Sequence, residues 1–193
     1  MKKKLIDYVK NYKSYLNENI CDSTVKELKK LNTDEWRQHK FQDPLSKKFI
    51  TQSGDQELST SYSNEISTKK IIMEEIWNVI NNYIVKDLKF DWFHSWDGYT
   101  EVRFNKYSKN TKMAEHCDHI HSAFDGNRKG IPILSVLGIL NDDYKGGEFI
   151  MFEDEEIKFK KGDILVFPSL FLYPHKVEPV IKGTRYSFIS WVW

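Results

Sequence analysis

The sequence predicts a mainly β fold of sandwich or jelly-roll type, with flanking helices over one outer face. Three observations carry this. The second half holds seven short runs rich in β-branched and aromatic residues, separated by turn-forming clusters. The first half shows helix-period apolar stripes interrupted by a polar, loop-like stretch. Aromatic residues make up 15% of the chain, which suits a sheet-rich core with a lined pocket. A length of 193 residues supports one substantial core. A single domain is therefore expected, with 1–90 as mainly helical support and loop and 91–193 as the β core.

Each element has a local reason. Leu5, Ile6, Val9, Tyr12 and Leu16 recur at helix-like spacing and predict a short first helix. Asp22 and Ser23 offer N-cap oxygens ahead of Val25, Leu28 and Leu31, so a clearer helix is expected to start there. Residues 42–63 read as a loop, with Pro44, Gly54 and many Ser, Thr and Gln side chains. The stretch 64–85 predicts a longer helix whose buried face is Ile72, Ile76, Val79, Ile80 and Tyr83. Strands are expected at 99–107, 113–120, 133–140, 148–152, 163–167, 175–180 and 185–193. Turn chemistry at Asp125-Gly126-Asn127, Gly146-Gly147, Lys161-Gly162-Asp163 and Lys182-Gly183 separates them. The acidic run at 153–156 reads as a solvated turn, because it lacks the glycine and oxygen spacing of a calcium loop.

Charge narrows the function classes. With 29 basic and 28 acidic residues the net charge is +1, which favours neither a nucleic acid nor an anionic membrane surface as partner. No apolar run is long enough to span a bilayer, and the N-terminal residues lack a signal-peptide pattern. Cys21 and Cys117 fall in different halves and do not read as a disulfide framework. A reducing, cytoplasmic compartment is the expectation.

Chemistry concentrates at His116-Cys117-Asp118. Side chains at i and i+2 leave a strand on the same face, so His116 and Asp118 can grip one ion while Cys117 points away. Adding His175 gives two imidazoles and one carboxylate, the facial ligand set of a non-haem Fe(II) site with open positions. The bland alternative is three unrelated polar residues on a barrel wall, which leaves buried polar groups without a partner. By strand phase His119 and His121 point outward, and His39 and His94 lie outside the motif. Arg185 opens the final strand on a face shared with Ser187, Ile189 and Trp191. A guanidinium aimed into a barrel needs a planar anion, either a small dicarboxylate or a structural Asp or Glu. Tyr107 could place a hydroxyl in the same pocket or be a buried structural tyrosine. Ser135 is a lone hydroxyl on a face formed with Ile133, Leu137 and Ile139, so it either binds a ligand or bonds to local backbone. Trp191 is taken as a pocket wall.

From Arg103 to Trp193, the stretches RFNKYSKNTKMAEHCDH, SVLGILNDDYKGGEF and KKGDILVFPSLFLYPHKVEPVIKGTRYSFISWVW resemble the Fe(II)/2-oxoglutarate-dependent dioxygenases, in particular the prolyl 4-hydroxylase-like branch. The front half matches only in general helical character. The resemblance implies a double-stranded β-helix of cupin-like form, with iron at His116, Asp118 and His175. It implies that Arg185 pairs with the distal carboxylate of 2-oxoglutarate, and that Tyr107 and Ser135 set hydroxyls against the same co-substrate. The implied activity is hydroxylation of a C–H bond, of a prolyl or other residue in a peptide or protein, consuming O2 and releasing succinate and CO2. Ascorbate would be a stimulant. A free amino acid or small molecule on the same site is one alternative, and a non-catalytic metal- or sugar-binding jelly roll is another.

Two departures from the family pattern bear on the substrate. Met113 stands where relatives acting on collagen-like peptides usually carry Tyr, and Arg185 stands where many carry Lys. The first leaves proline open as the target. Retention of Asp118 disfavours the halogenating variants, which lack that carboxylate. The polar segments 42–63 and 122–131 are candidates for a substrate lid or for ordinary surface. Oligomeric state has no signature in the sequence.

Overall fold

The fold comes from a computed structural model of the chain, which describes residues 2–193 apart from Pro44, Lys47, Asp91, Trp92, His94, Ser95 and 119–131. Two antiparallel sheets dominate it. The larger has seven strands in the spatial order Lys10–Tyr12, Ile164–Pro168, Leu134–Ile139, Arg185–Val192, Arg103–Tyr107, Ser59–Ser61 and Arg37–Gln38. The smaller has four, in the order Glu155–Glu156, Phe149–Met151, His175–Val177 and Met113–His116. This is the expected mainly β, jelly-roll type of core.

Strand alternation divides the core in two. On the large sheet, Tyr107, Leu137, Leu165, Phe167, Ile189 and Trp191 pack against Met113, Phe149, Met151 and Val177 of the small sheet. Their chain neighbours Phe104, Leu134, Val136, Ile164, Val166, Tyr186, Phe188 and Val192 point the other way, toward the helices. With both faces covered, Arg185–Val192 is buried along its whole length, and its apolar side chains fall on both faces, Tyr186, Phe188 and Val192 on one and Ile189 and Trp191 on the other. Gly138 is required here. A Cβ at this position would lie 2.1 Å from Cζ of the fully buried Phe188 ring, which fills the space a side chain would take.

The helices behave largely as their stripes predict. Ile72, Ile76, Val79, Ile80 and Tyr83 are each 0% exposed, and burying an isoleucine fully is worth about 1.5–3 kcal/mol. The long helix is α-helical over Lys69–Asn81 and continues as a π-helical turn over Asn82–Leu88, ending at Lys89 with φ 51°. The preceding helix is Glu18–Leu28 rather than one beginning at Asp22. Asn17 caps it, its side-chain oxygen accepting from the Asn19 N–H at 2.8 Å.

Other differences from the sequence expectation have tertiary causes. The predicted first helix is a short 3-10 turn, Leu5–Tyr8, followed by the strand Lys10–Tyr12. A helix of that length is marginal alone, and the open edge of the Ile164–Pro168 strand offers ladder bonds instead. The predicted loop 42–63 contains strand Ser59–Ser61 of the large sheet and strand Phe49–Ile50, which pairs with Phe41–Gln42. The predicted strand 175–180 splits into His175–Val177 in the small sheet and Val180–Lys182 paired with Lys145–Gly146. Gly146 sits at φ 77° with Pro179 O only 2.4 Å from where a Cβ would lie, so only glycine fits. His119, His121, His94 and the segment 122–131 lie outside the described residues. Among the described residues no helix is long and apolar enough to cross a membrane.

Candidate metal centre

His116 and His175 face each other across adjacent strands of the small sheet, with ring centroids 4.4 Å apart. Strand pairing therefore sets two donors directly. Asp118 comes differently. The strand ends at His116, so regular alternation does not reach residue 118. Its carboxylate is instead held from the large sheet, where Ser135 Oγ donates to Asp118 Oδ2 at 2.7 Å. Ser135 Oγ also shares a hydrogen bond with Ser169 Oγ at 2.6 Å. The site thus bridges the two sheets.

The donor atoms converge. His116 Nε2 and His175 Nε2 lie 3.4 and 3.7 Å from the same oxygen, Asp118 Oδ1. Both Nδ1 atoms are turned to main-chain carbonyls, Ala114 O at 2.8 Å and Tyr173 O at 3.1 Å. Nδ1–H donation to those carbonyls leaves each Nε2 lone pair facing inward, which is the tautomer a metal needs. Among the described residues this is the only group of three His, Cys, Asp or Glu side chains with donor atoms within 4.8 Å of one another.

The charge states suit a cation. Burial would raise the Asp118 carboxyl, but His175, His116 and the Ser135 hydroxyl outweigh it and hold the group well below the carboxylate range. Burial pushes His175 down to about 4, against the opposing pull of Asp118, so it is neutral at pH 7. A buried carboxylate between two imidazoles fits divalent iron, which would satisfy all three donors at once. Phe167 and Phe149 pack on the His175 ring at 5.1 and 5.3 Å, and Phe41 on His116 at 5.6 Å, which limits water. Cys117 stays out of the donor set, its Sγ bonded to Phe171 O at 3.4 Å.

Arg185 is 1% exposed, yet its Nε and Nη2 have no hydrogen-bond partner among the described residues. Its Nη1 donates to Ser187 Oγ at 3.3 Å, and its guanidinium lies 4.8 Å from the centroid of the Tyr107 ring. No structural carboxylate pairs with it among the described residues. Tyr107 is its direct cross-strand neighbour and is itself buried. Burial raises the Tyr107 hydroxyl, and the charge of Arg185 opposes that rise. Arg185 also borders an open pocket of about 710 Å³ with Tyr144, Gly147, Glu148 and Phe149, and none of the three metal donors lines it.

The sequence reading did not single out Ser169, Arg103, Asn105 or a role for His39. Arg103 and Asn105 were within reach, since they share the face of Tyr107 by period two. Ser169 had no signal, because only folding brings it beside Ser135.

Residues 102–193 match the family described as the 2OG-Fe(II) oxygenase superfamily. A PKHD-type hydroxylase of Idiomarina loihiensis is 34% identical over 94 residues, which cover 47% of this chain and 41% of that protein. The chain thus spans about two fifths of the length of the curated relatives it matches. In fold it is similar to a prolyl hydroxylase of Trichoplax adhaerens solved with a hypoxia inducible factor oxygen degradation domain peptide fragment. That likeness has a TM-score of 0.70 at 15% identity, covering 97% of this chain and 84% of the other. It is also similar to the viral collagen prolyl hydroxylase of Paramecium Bursaria Chlorella virus-1 in its 2OG complex, with a TM-score of 0.63 at 16% identity, covering 96% and 94%. The matched family and the triad together identify Fe(II) and 2-oxoglutarate as the cofactors.

Proposed function

Starting from residues 102–193 as a member of the 2OG-Fe(II) oxygenase superfamily, prolyl hydroxylase-like branch, we propose that the chain hydroxylates a C–H bond of a prolyl or other residue in a peptide or protein, releasing succinate and CO2. The observation that carries this is the His116–Asp118–His175 triad sharing one sheet sandwich with a buried guanidinium that has no carboxylate partner among the described residues.

Bound Fe(II), with 2-oxoglutarate and O2, supplies the oxidising power for such a hydroxylation. The chain supplies geometry. His116 and His175 present Nε2 lone pairs because their Nδ1 atoms are tied to backbone oxygens. Ser135 holds Oδ2 of Asp118, leaving Oδ1 toward the two imidazoles. Arg185 anchors the distal carboxylate of 2-oxoglutarate through the unpartnered Nε and Nη2. Tyr107, stacked under that guanidinium, supports it and can turn its hydroxyl to the same carboxylate. The aromatic wall of Phe41, Phe149 and Phe167 keeps bulk water from the reacting groups.

The test is succinate release from 2-oxoglutarate by purified protein with Fe(II), ascorbate and oxygen, first alone and then with proline-containing peptides screened by mass for a gain of one oxygen. Asp118→Ala is expected to abolish turnover. Arg185→Ala is expected to raise the 2-oxoglutarate requirement about a hundredfold or more, since two charge-assisted bonds of about 1.5–3 kcal/mol each are lost. Parent-like activity in both variants would refute the assignment. A free amino acid or small-molecule substrate on the same site is supported by Met113, which lies buried at the start of the His116 strand.

A further inference from the structure

A second arginine lies inside the same sandwich. Arg103 occupies the inward face of the Arg103–Tyr107 strand, directly opposite Ile189. Its guanidinium stacks over the Trp191 indole at 4.8 Å, and its Nε donates to the buried Asn105 Oδ1 at 3.1 Å. Among the described residues no hydrogen bond or ion pair engages its two Nη groups, so a half-buried cation is left with its strongest donors free. Two polar atoms nearby are buried without partners among the described residues, Trp191 Nε1 and His39 Nδ1. Unmatched buried donors of this kind mark a place for a ligand.

The position ties this cluster to the metal donors. Trp191 is the cross-strand partner of Ser135, whose hydroxyl holds Asp118. On the other side, His39 packs on Phe41 at 4.6 Å, and Phe41 packs on His116 at 5.6 Å. Arg103 is distinct from Arg185. Arg103 pairs with Ile189, four residues along the strand from Arg185, which is roughly 13 Å between backbone positions at about 3.3 Å per residue. Their guanidiniums also stack on different rings, Arg103 on Trp191 and Arg185 on Tyr107. Arg185 is 1% exposed and borders the pocket described above, whereas Arg103 is partly open to solvent.

We propose that Arg103 is a specificity-determining residue that binds a carboxylate on the prime substrate, placing that anion against the Trp191 indole beside the reacting carbon. This deepens the hydroxylase reading and rests on it. A single guanidinium flattened on an aromatic ring offers a planar fork suited to a singly charged, planar carboxylate. The carboxylate can come from an acidic side chain next to the hydroxylated residue, or from the α-carboxylate of a free amino acid.

The test uses protein loaded with Mn(II) and 2-oxoglutarate, in which binding is read by calorimetry without turnover. The probes are blocked Pro-Glu and Glu-Pro peptides with their Gln counterparts, and free amino acids with their amides. The parent is expected to bind at least one acid tenfold or more tighter than its amide, and peptide against free-acid hits separate the two sources. Arg103→Gln and Arg103→Met are expected to reduce that preference to threefold or less, with Arg103→Lys retaining part of it. Lys106→Gln removes the same charge from the opposite face of the same strand, where Lys106 lies 4.4 Å over Trp36, and is expected to keep the preference. Three results would each overturn the proposal: no probe bound in preference to its amide, a preference that survives Arg103→Gln, or a loss of 2-oxoglutarate affinity in Arg103→Gln equal to that in Arg185→Gln. Failure of the hydroxylase reading is separate, since it appears as absent succinate release and leaves the calorimetric result standing.

Discussion

Ser135→Ala separates two roles for one hydroxyl. The family resemblance implies a place for Ser135 against the co-substrate, but its Oγ is engaged at 2.7 Å by Asp118 Oδ2 and at 2.6 Å by Ser169 Oγ. The bond to Asp118 is charge-assisted and wholly buried, so its loss should cost about 1.5–3 kcal/mol of the preference for an ionised, correctly aimed carboxylate. At about 1.4 kcal/mol per factor of ten, that is roughly 10–100-fold in metal affinity, the usual effect of removing a group that orients a ligand. Anaerobic calorimetric titration of Fe(II) or Mn(II) into the metal-free protein reads it directly. Ser169→Ala should give a smaller loss, because Ser169 acts only by holding Ser135. A metal Kd within twofold of the parent, together with a tenfold weaker 2-oxoglutarate Kd at saturating metal, would refute the reasoning and give the hydroxyl to the co-substrate.

Two further expectations concern stability. Gly138→Ala drives a methyl group to within 2.1 Å of the buried Phe188 ring, and overpacking of this kind costs about 1–3 kcal/mol. Urea denaturation should show a lower midpoint with an unchanged slope; an unchanged midpoint would mean the ring moves freely. Acid sensitivity follows from His175 and His39, pushed by burial to about 4 and about 3. Below an unfolded-state value of about 6.5, the unfolded chain binds protons that the folded protein refuses, so stability rises with pH. This contribution is full above about pH 6.5 and is lost as pH falls toward 4 and below, while that of Asp118 is lost only at still lower pH. Urea midpoints of the metal-free protein should therefore stay level down to about pH 6.5 and fall from there toward pH 4, and a flat profile across that window would contradict the assignment.

Much of the fold was legible because its signals are local. The long helix announced its buried face through Ile72, Ile76, Val79, Ile80 and Tyr83, all of which are fully buried. The strands of the second half lie close to where β-branched runs and glycine turns place them. The N-terminal stretch misled because its helix-like spacing competes with a sheet edge that exists only after folding. The separation of 175–180 into two strands reflects Pro179, whose ring nitrogen cannot donate to a ladder, and the irregular pairing around it.

The sequence by itself supplied the donor chemistry: two imidazoles and a carboxylate suited to a metal, and a later arginine that calls for an anion. Within the strands that form, it also determined which side a residue faces, because the period of two is a property of the backbone alone. Tertiary structure decided the rest. Asp118 lies past the end of its strand, and what aims it is Ser135 from the opposite sheet, 17 residues away. Likewise Arg103 became a candidate only once Trp191, 88 positions later, closed over it. Such pairings depend on how two sheets stack, and stacking is set by the volume and shape of side chains distant in sequence.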